Sequence, residues 1–162
     1  MVKKAGAGKT KSKAKSGGQN GGAARGSLAV SHHAGIIYTM VLVAASDREM
    51  TDREMSSIGQ DVLHLPVFED FDQNRLPAVA GECAELLDSK NGLDDVLDVI
   101  ARAVPERLRE TAYALACEVA AADGKVSQEA SRILELLRHR LSLGRLVSAA
   151  IERGARARAM RL

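Results

Sequence analysis

Two aspartates, Asp47 and Asp123, stand at matching places in this sequence, 76 residues apart. Asp47 lies in Val43-Ala44-Ala45-Ser46-Asp47-Arg48-Glu49-Met50-Thr51, and Asp123 in Val119-Ala120-Ala121-Ala122-Asp123-Gly124-Lys125-Val126-Ser127. Each copy reads as an apolar helix closing on an aspartate, a short turn, and a restart at a hydroxyl residue suited to N-capping. The C-terminal end of a helix carries about half a negative charge, so an aspartate there is disfavoured by several tenths of a kcal/mol unless it is compensated. A cation is the simplest compensation. Carboxylates and backbone carbonyls at such a corner are the ligands that hard ions such as Ca2+ and Mg2+ take.

Other acids gather near these corners. Asp47, Glu49, Asp52 and Glu54 fall within eight residues of one another. In the second copy, Glu118 sits on the flank of the apolar face of its helix, with no basic residue three or four positions away. Its partner must therefore come from outside that helix. Asp47, Glu54, Glu118 and Asp123 form the candidate metal set, with Glu49 and Glu129 as weaker members. Asp52, Glu49 and Glu129 also have a plainer reading, because acids at a helix start favour its N-terminal dipole without any metal. Likewise, Thr51 and Ser127 are good caps, and Asp123-Gly124 is an ordinary turn signal. Neither corner is an EF-hand. Counting from Asp47, loop positions six and twelve are Asp52 and Ile58, and counting from Asp123 they are Gln128 and Leu134, where that loop needs Gly and Glu.

The elements that must hold these corners are helices. The chain has 162 residues, 46% of them hydrophobic, with no Trp, two Tyr and two Phe, so its core is built from Ala, Leu, Val, Ile and Met. Such cores are helix on helix. Apolar positions recur at helical period from residue 27 onward, giving helices over residues 28–46, 51–65, from the Phe71-Asp72 turn to about 88, 93–104, 105–122, 127–141 and 143–154. The second helix carries Met55, Ile58, Val62 and Leu65 on its stripe, and Thr51 and Glu54 have capping-box spacing. Asn91-Gly92 reads as a stop for the third helix, and Pro105 as the first residue of the fifth. No segment alternates like a strand. The expected fold is all-α, a bundle of about seven helices with an internal pseudo-repeat of helix-turn-helix units.

Charge divides the chain further. Residues 1–26 hold seven of the 23 Lys and Arg and no acid, leaving 16 bases against 21 acids in the remainder. This Lys-, Gly- and Ser-rich stretch has no periodic apolar positions and is expected to be a disordered basic tail. The helical body is expected to span residues 27–155, followed by a basic extension over 156–162. The tail's Gly6-Ala7-Gly8-Lys9-Thr10 is not a P-loop, because Lys3 stands where the first glycine is required and no strand precedes it. Cys83 and Cys117 have neither disulfide-scaffold nor zinc spacing, which suits a reducing cytoplasm. The longest apolar run, residues 36–45, falls well short of the ~20 residues a membrane span needs.

The paired corners, together with Leu65-Pro66-Val67-Phe68 and Arg109-Glu110-Thr111-Ala112-Tyr113-Ala114-Leu115-Ala116-Cys117-Glu118 running into the second corner, resemble the tellurite-resistance TerB family over roughly residues 28–154. The resemblance implies a compact helical pseudo-repeat with acidic corners that bind divalent metal. It also implies a non-enzymatic cytoplasmic role in tellurite or related stress, in a complex at the inner membrane face with TerC-type integral membrane proteins. Two positions depart from strict repetition. Arg48 stands where the second corner has Gly124, and Ala130 where the first has Glu54.

The residues therefore support a metal-binding interaction protein first. An enzyme using the acidic cluster is a weaker alternative, since His32, His33, His64 and His139 stand in no catalytic spacing. A nonspecific binder of nucleic acid or anionic membrane through residues 3–15 is the other. That tail has no aromatic for base stacking, so no sequence-specific nucleic-acid recognition is expected.

Overall fold

The structure is a computed structural model that describes residues 30–46 and 51–161. The basic tail, with its Gly6 to Thr10 run, and the first-corner residues Asp47, Arg48, Glu49 and Met50 lie outside the described residues. Seven α-helices and three short 3-10 helices account for the described fold, with no strand among the described residues. They are α1 (His32–Ala44), α2 (Asp52–His64), α3 (Leu76–Leu87), α4 (Gly92–Ala103), α5 (Arg109–Ala121), α6 (Gln128–Arg140) and α7 (Arg145–Ala159).

The first helix organises the rest. Ser31 opens α1 by accepting the Ala34 N–H at 3.2 Å, and every residue from His33 to Ala44 is buried. Such all-round burial needs neighbours on every side, and α2, α3, α4, α5 and α6 all pack against α1. Ile36, Ile37 and Met40 are wholly enclosed, each contributing about 1.5–3 kcal/mol through burial. Opposite them, α5 presents the small residues Ala112, Ala116 and Ala120, all buried. Thr39 is the polar residue inside this contact, and its hydroxyl donates to the Ile36 carbonyl at 2.6 Å and the Ala112 carbonyl at 3.3 Å.

The outer helices then close the core. α7 lies mainly on α5, where the buried Tyr113 hydroxyl donates to Glu152 at 2.8 Å. Between α4 and α6, the Arg140 guanidinium is shared by Asp94, at 3.0 Å, and Asp98.

Several helix boundaries differ from their sequence expectation for identifiable reasons. Pro77 sits in the first turn of α3, where its missing N–H costs no helical bond. Asn91 is the N-cap position of α4, however, and Gly92 its first residue, so this pair opens a helix where a stop was expected. Pro105 precedes a 3-10 turn, Glu106–Leu108, and α5 begins only at Arg109. Gly154 does not end α7, which continues to Ala159 because Ala155 and Ile151 still pack inward.

Two helical glycines have opposite surroundings. A Cβ on Gly35 would meet Ala103 Cβ at 2.8 Å and Val104 Cγ2 at 3.0 Å, so α1 approaches the end of α4 too closely for a methyl group. At Gly59 on α2 a Cβ would meet nothing within 4 Å. Gly59→Ala is expected to stabilise by about 0.5–1 kcal/mol through helix propensity and reduced unfolded-state freedom. Gly35→Ala is expected to destabilise on balance, because overpacking of about 1–3 kcal/mol exceeds the same propensity gain. Urea unfolding of the two variants measures both effects, and a stabilised Gly35→Ala would contradict the packing described here.

Candidate functional site

The second corner is built by backbone geometry. At the end of α5, the Ala122 N–H donates to the Val119 carbonyl at 3.1 Å and the Gly124 N–H to the Ala121 carbonyl at 2.8 Å. Gly124 has φ +83°, the left-handed conformation that glycine adopts without the penalty of a Cβ. The chain then turns into α6, where the Ser127 hydroxyl accepts the Ala130 N–H at 3.0 Å. Asp123 is left at the elbow, exposed, on the negative end of α5.

On the other repeat, α2 starts with the capping box its sequence announces. Thr51 Oγ1 accepts the Glu54 N–H at 3.2 Å, and Glu54 Oε2 accepts the Thr51 N–H at 2.9 Å and the Thr51 hydroxyl at 3.1 Å. Glu54, folded back in this way, is buried and takes the inward place in the first turn. The inward positions are Glu54, Ile58 and Val62, while Met55, expected inside, is 50% exposed.

The two hairpins meet through α2 and α5. Arg53, on the first turn after the first corner, reaches Asp123 at the second, with Nη1 3.4 Å from Oδ1. Further along α2, Asp61 feels the carboxylate of Glu118 on α5 and the guanidinium of Arg158 on α7. Arg158 is also the partner that Glu118 lacked in its own helix, with Nη1 donating to Oε1 at 2.6 Å. At the end of the same helix face, Arg161 Nη2 donates to the Ala122 carbonyl at 3.3 Å.

Asp61 is the most perturbed member of this group. Its Oδ2 is buried and has no hydrogen-bond partner among the described residues. Burial first, and then the neighbouring Glu118 charge, push its carboxyl up from 3.8 to about 6, against the opposing pull of Arg158. An oxygen so placed wants a proton or a cation. Asp61, Glu118, Asp123, Glu54 and the Ala122 carbonyl supply only oxygen donors, which fit a hard divalent ion in chemistry. The described residues alone hold no group of three or more His, Cys, Asp or Glu close enough to enclose one.

The sequence-predicted residues therefore divide. Glu54 is taken into the capping box, Asp123 and Glu118 meet arginines, and Glu129 stands exposed in the first turn of α6. Asp47 and Glu49 fall outside the described residues. Sequence reasoning missed Asp61, although it lies three residues after Ile58 and beside Val62, where a polar residue on an inward stripe is the signal. A cavity of about 300 Å3 between α5, α6 and α7, lined by Cys117, Leu134, Arg138, Glu152 and Arg156 among others, involves none of these acids.

The Asp61 carboxyl gives a pH dependence whose sign is fixed. Its folded-state value near 6 exceeds the ordinary 3.8, so the folded chain binds the proton more tightly than the unfolded one. Its contribution to stability therefore falls as pH rises from about 4 to about 6 and stays low above that. Asp61→Asn, in metal-free buffer, is expected to raise the Tm at pH 7.5 by about 2–4 °C and to leave it unchanged near pH 4. A difference that does not vary with pH would show that the carboxylate is not the strained group.

Comparison with known proteins bears on the whole helical body. No curated protein and no solved structure compared with the chain matches it. The family model described as tellurite resistance protein TerB matches residues 33–153, from the start of α1 into α7. The chain belongs to the TerB family.

Proposed function

We propose that this chain is a non-catalytic, tellurite-resistance-type interaction module that takes up a divalent cation along the α2–α5 edge. One observation carries the reading: Asp61 Oδ2 is buried beside Glu118 with no hydrogen-bond donor. Asp61 from α2 and Glu118 from α5 would hold the ion as a pair, with Asp123, at the elbow after α5, and Glu54, on the inward stripe of α2, as further members of the candidate set. Asp47 from the first corner completes the candidate set, with Glu49 and Glu129 as outer contributors of charge. The ion would supply the positive charge that this edge requires, and the donor set favours Ca2+ or Mg2+ over thiophilic ions.

The same reading gives the chain its place in the cell. No helix among the described residues is long and apolar enough to cross a membrane. A cytoplasmic stress-response protein that docks on protein partners, a TerC-type integral membrane protein among them, accords with that and with family membership.

Calorimetric titration of the metal-stripped full chain with Ca2+, Mg2+ and Mn2+ tests the proposal. Saturable binding is expected, and Asp61→Asn and Asp123→Asn are each expected to weaken it by about tenfold or more, because a lost anionic ligand leaves the remaining charge uncompensated. Absence of binding up to millimolar ion, or affinity unchanged in both variants, would overturn it.

A further inference from the structure

The cavity of about 300 Å3 between α5, α6 and α7 lies apart from the acids discussed above, and its walls differ in kind. One side is apolar: Cys117 of α5 and Leu134 of α6 are only 3% and 6% exposed, and Val126 packs against the core near them. The other side carries Arg138 of α6, with Glu152 and Arg156 of α7.

The charges around this cavity do not cancel. Glu135 is held by Arg132 at 2.6 Å. Glu152 accepts the Tyr113 hydroxyl at 2.8 Å, and Arg156 approaches it only to 3.9 Å, beyond hydrogen-bond reach. Half-buried Arg138 meets no acid among the described residues, and its Nη2 lies 2.9 Å from Nε2 of His139. Burial holds the Tyr113 hydroxyl well above its usual range, and the Arg138 charge opposes that shift. Burial also pushes the Cys117 thiol up to about 12, with Glu152 adding to the rise and Arg156 opposing it. Both guanidiniums therefore bear on the inside of the cavity, whose apolar side carries an uncharged thiol. A guanidinium facing a cavity without a carboxylate of its own is a site for an anion, and its planar fork suits a carboxylate or a phosphate.

We propose that this cavity binds a small anionic amphiphile, its carboxylate or phosphate head held by Arg138 and Arg156 and its short apolar body laid on Cys117, Val126 and Leu134. The volume is at the lower end of the range for small-molecule pockets, which limits the body to a short chain or a single ring. Glu152 stays bonded to Tyr113, while Arg156, with no hydrogen bond to give up among the described residues, turns to the ligand head. The proposal does not depend on the cation reading, since it uses none of that site's acids.

Titration of the isotope-labelled full chain with hexanoate and with hexyl phosphate tests it through the amide signals of Cys117, Val126 and Leu134. Saturable shifts at all three are expected with at least one of these ligands, and the tighter of the two identifies the head group that the site takes. Arg138→Gln/Arg156→Gln is expected to weaken that binding by about tenfold or more, through loss of two charge-assisted contacts. Arg145→Gln/Arg153→Gln, which removes the same charge from exposed positions outside the cavity, should stay within about twofold of the unmodified chain. Acetate and inorganic phosphate, which lack the apolar body, should bind at least about tenfold more weakly than the six-carbon ligands, and hexylammonium should give no saturable shift. No saturable shift with either anionic amphiphile would overturn the proposal. Equal weakening in both double variants would reduce the effect to bulk charge and overturn it, as would equal binding of hexylammonium or of the two bare anions.

Discussion

Burial of α1 is the constraint on which the rest of this structure depends. A helix whose residues are buried from His33 to Ala44 has no face to offer water, so five other helices must surround it. The buried alanines of α5 let it pack closely on α1, and α2 packs against both α1 and α5. Asp61 on α2 and Glu118 on α5 come near each other because their helices are packed around the same core. Their proximity follows from hydrophobic packing, and their like charges oppose it. That opposition is visible in the raised Asp61 carboxyl.

Compensation for those charges comes from far along the chain. Arg53 precedes Asp123 by 70 residues, and Arg158 follows Glu118 by 40. Neither pair is strong where it is exposed to solvent. Asp61 differs from them, since its Oδ2 is buried without a partner and burying a carboxylate is costly unless it is paired. A carboxylate placed there against that cost suits the cation-binding role proposed for this edge.

Much of the fold was legible in the sequence because its signals are local. Thr51 and Glu54 announced a capping box, Asp123-Gly124 announced a turn, and the periodic apolar residues announced the helices around them. Signals that depend on tertiary packing were not legible. Met55 looked like a core residue until the Glu54 side chain turned inward to its cap, and Gly154 looked like a helix end until Ala155 and Ile151 held α7 together beyond it. At the site, Glu118 declared itself as an acid without a local partner, but nothing near it in sequence identified Arg158. Asp61 could have been noticed as an acid next to Val62 on the inward stripe. Its significance, however, comes from Glu118, 57 residues away, and only the packing of α2 on α5 supplies that.

The central claim is that the acids of the two repeats act as one cation site on the α2–α5 edge. Paramagnetic broadening of backbone amide signals by substoichiometric Mn2+ tests it most directly, because the effect falls steeply with distance from the ion. The account predicts that amides near Asp61 on α2 and those from Glu118 to Val126 broaden together, at the same ion concentration. Broadening confined to the acids of α4, Asp94, Asp95 and Asp98, or to one repeat alone, would contradict it.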